Sequence, residues 1–355
     1  MALIRINARG QTAELHGSPA PLESLLQRAT AGDGPVIVMI HGYNYRPGGR
    51  SNCPHRHLLS LEPAHLPWRA PSWPRQLGFG LGHADEGLGI AFGWNACGTL
   101  RQAQASAARA GQALAQVCAL LHRQDPRRPV HVIGHSLGIE VALEMLHHLP
   151  QGAIGRIISL FGASFQSRTA TALDTPAGRS AEFINITSRE NDPFDFLFER
   201  LTRLPTRGDH AIGHGLNAAN AVTLPLDDAD TLSHLRTLGY AIAQPQHRIC
   251  HWSSFTRPGT LRFTATCCAN HRRRPCNACA RPARRARHAA GHGCLRCAPS
   301  PPPCPPGTSC DPLGARQRAG APRCSQPFNS TTGPPPTAGR SPSRWRKWAC
   351  PMTPR

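Results

Sequence analysis

The chain reads as an α/β protein, a mostly parallel central sheet flanked by helices, followed by a disordered C-terminal tail. Three observations predict this. Short, predominantly apolar runs recur through the first 259 residues, helical periodicities separate them, and composition changes abruptly at residue 260. A run that is apolar at every position fits a strand buried on both faces, as in a parallel sheet. Alternation with helices supplies the layers that cover those faces.

The elements follow in order. Residues 1–7 (Met-Ala-Leu-Ile-Arg-Ile-Asn) alternate apolar and polar side chains, as a short strand does. No basic stretch leads into an apolar run there, so no signal peptide is expected. Residues 35–40 (Pro-Val-Ile-Val-Met-Ile), between Gly34 and Gly42, form the first buried-strand run. Five more lie at 88–92, 130–133, 156–161, 183–187 and 221–226. Leu100, Ala103, Ala107, Ala110, Leu114, Val117 and Leu121 recur at helical spacing between the second and third runs. Val141, Met145 and Leu149, beside Ala142 and Leu146, mark a helix after the third. Asp230 is positioned to cap a helix carrying Leu232, Leu235 and Leu238. Residues 45–81 break the alternation with Pro, Gly, Arg, His and Trp, and read as a loop or lid-like insertion. No stretch is apolar enough for long enough to predict a membrane span.

The chemistry concentrates at Gly134-His135-Ser136-Leu137-Gly138, which fits the pattern G-x-S-x-G. The apolar strand Val130-His131-Val132-Ile133 precedes it and an amphipathic helix follows. A serine at such a strand-to-helix turn is forced into a strained, exposed conformation, and the flanking glycines give the turn room. The helix N-terminus sets N–H groups and positive potential beside the serine oxygen. A second segment, His41-Gly42-Tyr43-Asn44, directly follows the strand at 35–40.

With these two segments, most of residues 1–259 resembles the α/β-hydrolase family, with Ser136 as nucleophile. The resemblance implies an oxyanion hole built from the amides of Tyr43 and Leu137, with His135 completing the elbow. It also implies a chain order of serine, then acid, then histidine. The acid is expected just past the strand at 183–187, where Asp192 is preferred, Asp195 is second and Glu190 third. The histidine is expected after the strand at 221–226. His251 is preferred there over His234 and His247, and His214, just before that strand, is the runner-up. In this scheme His251 takes the Ser136 proton, and Asp192 holds the imidazole tautomer. His41, Gly42 and Trp94 are candidates for a pocket, and Trp68 or Trp73 for an acyl-binding wall. The expected reaction is hydrolysis of a carboxylic ester, or else a thioester or amide, through an acyl-serine. The expected partner is a small-molecule ester or lipid, with no metal, cofactor or nucleic acid required. The alternative is a catalytically inactive binding protein of the same fold. Cys53, His55 and His57 have the spacing Cys-x-His-x-His but lack a matching distant pair, so they read as a solvated loop.

Charge and cysteine divide the chain at the same point. The net charge of +20 would suit an anionic partner, but residues 260–355 hold 17 Lys+Arg against one acid, Asp311. Residues 1–259 carry 23 Lys+Arg against 19 Asp+Glu, an ordinary balance. Cys53, Cys97, Cys118 and Cys250 are too scattered for a disulfide framework and fit a reducing, cytoplasmic setting. From 260 onward there are 17 prolines in 96 residues and no Val or Ile, a composition that cannot offset its ordering entropy. Two further readings of the tail stand beside disorder. Cys276, Cys279, Cys294 and Cys297 with Arg281, Arg284, Arg285 and Arg287 have the outline of a zinc- and nucleic-acid-binding module. Its Arg, Pro, Ala, Gly and Cys content, in a chain with 39 Arg and one Lys, also fits out-of-frame translation of GC-rich DNA. On that reading the last helix of the fold is missing and the core beneath it is bare.

Overall fold

A computed structural model of the chain describes residues 3–29, 34–65, 70–83 and 86–269. The N-terminal strand β1 (Leu3–Arg9) turns at Gly10, φ +62, into β2 (Thr12–Leu15), its antiparallel partner. Helix α1 (Leu22–Ala29) leads to β3 (Val36–Ile40), and a short helix α2 (Trp73–Gln76) precedes β4 (Leu88–Gly93). The long helix α3 (Leu100–Gln124) opens on a capping box between Thr99 and Gln102, which satisfies two otherwise orphaned N–H groups. Then come β5 (Val130–His135), α4 (Gly138–Leu146), β6 (Ile154–Leu160), α5 (Gln166–Leu173), α6 (Pro176–Ser180) and β7 (Glu182–Thr187). After them lie α7 (Asp192–Leu201), β8 (Ala221–Pro225), α8 (Ala229–Thr237), α9 (Ser253–Thr256) and α10 (Thr260–Ala269).

Among the described residues the strands form one eight-stranded sheet, ordered β2-β1-β4-β3-β5-β6-β7-β8 and parallel throughout except for the β1–β2 pair. The apolar runs from β3 to β7 are strands buried on both faces, and the edge strand β8 is buried on one. Val36, Val38 and Ile40 face one apolar cluster, which α1, α3 and α4 cover, while Ile37 and Met39 face a second. This is the period-two alternation of a pleated strand working on two cores at once.

The described residues of the segment 45–81 pack on the second face, with Leu58, Leu59, Trp73 and Phe79 buried against the sheet. Three expectations are corrected here. His55 and His57 are buried with it, not solvated. His55 Nε2 meets Asn7 Oδ1 at 2.8 Å, and His57 Nδ1 meets the Tyr45 hydroxyl. Order also continues past residue 259, because α10 buries Leu261, Phe263, Cys267 and Cys268 in this second cluster. The guanidinium of Arg156, from β6, is buried beneath it, donating to the Cys267 carbonyl and pairing with Glu182 at 2.6 Å. The face expected to be bare is therefore covered by the chain's own residues. Finally, Asp228 rather than Asp230 caps α8, accepting from Thr231 N–H at 2.8 Å. The tail readings for residues 270–355, with Cys276, Cys279, Cys294 and Cys297, lie outside the described residues, as does Trp68. Among the described residues no helix is long and apolar enough to cross a membrane.

Candidate active site

Strand order locates a crevice. β3 lies between β4 and β5, and the chain visits β4 before crossing back to β5. The segment leaving β3 passes over the second apolar face, whereas α4, leaving β5, packs on the first. Connections that diverge in this way mark a switch point at the carboxyl ends of the two strands, the usual ligand position in open parallel sheets. His41-Gly42-Tyr43 follows β3 at this point, and Ser136 follows β5.

Ser136 has φ +53, a left-handed conformation that costs a non-glycine residue free energy and persists only where its surroundings enforce it. Its own N–H donates to the Leu160 carbonyl at 3.2 Å, and its carbonyl accepts from Ala163 N–H at 3.0 Å and Ile139 N–H at 3.1 Å. The neighbouring glycines are sterically required. A Cβ on Gly138 would stand 2.6 Å from the His41 carbonyl oxygen, and one on Gly134 3.1 Å from Gly138. A Cβ on Gly42 would stand 2.9 Å from both the Ser136 Cβ and His135 Nδ1. The β3 loop and the elbow are thus packed backbone against backbone.

The loop after β3 is held from both sides. Asn44 N–H donates to the Ala96 carbonyl at 2.9 Å, Ala96 N–H returns a bond to Tyr45 at 2.8 Å, and the Tyr43 hydroxyl donates to Gly98. His41 is fully buried. Its Nδ1–H donates to the Gly42 carbonyl at 2.9 Å, and its Nε2 accepts from Trp94 N–H at 3.0 Å. Trp94, also fully buried, donates its indole N–H back to the His41 carbonyl at 3.0 Å. Burial lowers the His41 imidazole to about 4, so it is neutral at physiological pH. His41 and Trp94, expected to line a pocket, instead brace the loop from inside the core. The amides of Tyr43 and Leu137 donate no hydrogen bond among the described residues.

Of the histidine candidates, His251 is the one set against the elbow. Its carbonyl accepts from His135 Nε2–H at 3.0 Å, and the two rings lie 4.7 Å apart. Phe194 stacks on its other side at 4.6 Å, while Trp73 and Phe255 enclose His135. Burial, helped by His135, holds His251 well below its ordinary value, and burial lowers His135 to about 4. The Ser136 hydroxyl and His251 Nε2 make no hydrogen bond among the described residues. The runner-up, His214, is half exposed and paired with Glu199 at 3.5 Å. His247 is exposed, with its N–H on Glu190.

The acid candidates separate sharply. Asp192 is exposed on the first turn of α7, and its carboxyl is raised by partial burial, with His214 countering. The partner of His251 Nδ1 is its neighbour Asn191, whose Oδ1 lies 2.7 Å away. Asn191 in turn hydrogen-bonds the carboxyl of Asp195, which is buried one helical turn further on. Burial pushes Asp195 up to about 7; the Asn191 bond opposes this, and Asp192 and Glu199 add repulsion. Glu190 is buried and structural. It pairs with buried Arg257, accepts from Ser253 Oγ–H at 2.8 Å, and its backbone carbonyl accepts from Cys250 N–H at 2.9 Å. These bonds tie the His251 loop to the end of β7. Sequence reasoning missed Asn191 and Arg257. The available signal for Asn191 was an amide acceptor in the same turn as the favoured acid.

Residues 94–213 match the model of a family described as a protein of unknown function (DUF726). The match takes in the elbow, Asn191 and Asp195, and stops short of His251. No curated protein matches the chain.

Proposed function

We propose that residues 3–269 act as a serine hydrolase of the α/β-hydrolase type, cleaving a carboxylic ester through an acyl-Ser136 intermediate. The reading rests above all on Ser136, held at φ +53 at the sheet's switch point, with the amides of Tyr43 and Leu137 donating no hydrogen bond among the described residues. Ser136 Oγ attacks the ester carbonyl carbon and its proton passes to His251 Nε2. The developing oxyanion is met by the N–H groups of Tyr43 and Leu137, an effect worth several kcal/mol in comparable sites. The ester C–O bond then breaks, and the same proton goes to the leaving alkoxide. Water, deprotonated by His251, releases the carboxylic acid and restores the hydroxyl. The open Ser136–His251 contact is compatible with this, because such bonds often tighten only around substrate.

One observation favours a second reading, binding without turnover: among the described residues His251 Nδ1 meets an amide oxygen, that of Asn191, and no carboxylate. A fluorophosphonate probe separates the two. The full-length chain should gain one adduct on Ser136, located by mass spectrometry, and Ser136→Ala should gain none. A folded wild type that stays unlabelled would eliminate the hydrolase reading.

A further inference from the structure

We infer that Asp195 is a positioning residue: acting through the side-chain amide of Asn191, it decides which ring nitrogen of His251 carries the proton. The inference rests on the hydrolase reading, in which Nε2 must be free to take the Ser136 proton.

The argument follows donors and acceptors. Asn191 stands between His251 Nδ1, 2.7 Å from its Oδ1, and the Asp195 carboxyl. An ionised carboxylate can only accept, and an amide has donors on one end and an acceptor on the other. With Asp195 ionised, Asn191 turns Nδ2–H toward it and leaves Oδ1 for the imidazole. His251 must then hold its proton on Nδ1, and Nε2 keeps its lone pair for Ser136. A protonated Asp195 can donate instead, and Asn191 Oδ1 is the acceptor within reach. The amide turns over, presents Nδ2–H to Nδ1, and makes that nitrogen an acceptor. The ring releases its Nδ1 proton to solvent and takes one at Nε2, where it can no longer act as a base. Charge is unchanged at the ring, and the one proton gained by the site resides on Asp195.

Among the described residues Asp195 has no other hydrogen-bond or ion-pair partner that could fix the amide. On its own helix it faces the like charges of Asp192 and Glu199. The turn Ile212–His214 closes over it so tightly that a Cβ on Gly213 would stand 2.0 Å from Oδ2. His214, on that turn, is engaged with Glu199. Around His251 stand His135, which burial keeps neutral, and the apolar rings of Phe194 and Trp252. With Asp195 raised to about 7 and His251 lowered well below its ordinary value, the carboxyl titrates first as pH falls. Competence is therefore present above neutrality and lost below it.

The experiment has two arms on the full-length chain. The rate of fluorophosphonate labelling at Ser136 should be level above about pH 7 and fall about tenfold per pH unit below it, as one proton titrates. In Asp195→Asn, which can still accept from Asn191 but cannot ionise, that step should vanish. Separately, the ¹⁵N shifts of His251 should report an Nδ1–H tautomer above neutrality and Nε2–H below it in wild type, with no change in Asp195→Asn. A wild-type tautomer that stays constant across the range overturns the inference, as does a labelling step that survives Asp195→Asn. If the variant does not fold, the wild-type spectra still decide. Absence of labelling at every pH would remove the hydrolase reading instead, and the tautomer would still be read.

Discussion

A methyl group at position 42 has nowhere to go. It would press on the Ser136 Cβ and His135 Nδ1, both at 2.9 Å, and neither can retreat, because the elbow is hydrogen-bonded to β6 and His135 is boxed in by Trp73 and Phe255. Gly42→Ala should therefore separate the Tyr43 amide from Ser136, the proposed nucleophile, while leaving the sheet intact. A displacement of this kind costs on the order of 100-fold in rate. The expected result is a far-UV spectrum like wild type with Ser136 labelling slowed by about that factor; unchanged labelling would detach Gly42 from the site. Residues such as Gly42, Gly134 and Ser136 were legible in the sequence because their backbone geometry admits few alternatives. Asn191 was not. Asn191 and Asp192 are adjacent, and only the short helical turn Arg189–Asn191, capped by Ser188, rotates the amide inward and the carboxylate out.

Between elements, the His251 loop depends on one buried ion pair. Glu190 and Arg257 are each about 3% exposed by side chain, and Glu190 also gathers Ser188, Ser253 and the His247 amide. Glu190→Gln would leave the guanidinium buried without its counter-charge, a loss of about 3–5 kcal/mol in comparable pairs. Glu190→Gln/Arg257→Met should recover part of that, as read from urea midpoints; a single variant as stable as wild type would show the pair is dispensable. At this scale the strands were the most legible feature. Six apolar runs became six strands; five are buried on both faces, with no solvent-facing side to blur the signal, and the edge strand β8 alternates, burying Val222 and Leu224. α10 was obscured for the opposite reason. Its inward positions include Thr264, Cys267 and Cys268, side chains without an aliphatic signature, and an Arg- and Pro-rich sequence follows immediately.

For the molecule as a whole, the boundary at residue 269 makes a sharp prediction. A chain ending at 269 should fold and label at Ser136 at the wild-type rate. A chain ending at 259 should lose its cooperative transition, because it uncovers the apolar site that Phe263 fills and takes the Cys267 carbonyl from the buried Arg156 guanidinium. Calorimetry of the two chains checks this, and equal melting behaviour would show that the second face needs no cover from α10. The overall architecture was readable from periodicity alone. The second layer was not, since 45–81 and α10 are built from short, irregular pieces with no sustained period.

The parallel order of the strands also has a consequence in time. The loop at 41–43, the elbow at 134–138 and the imidazole at 251 arrive at the crevice from distant parts of the polypeptide. Pairings of that kind close late in folding. On the proposed mechanism the hydroxyl emerges more than a hundred residues ahead of the imidazole at 251, so a nascent chain carries Ser136 without its proposed base. On that reading, only a product translated through α10, the last helix of the described residues, would bring hydroxyl and imidazole together in a covered core.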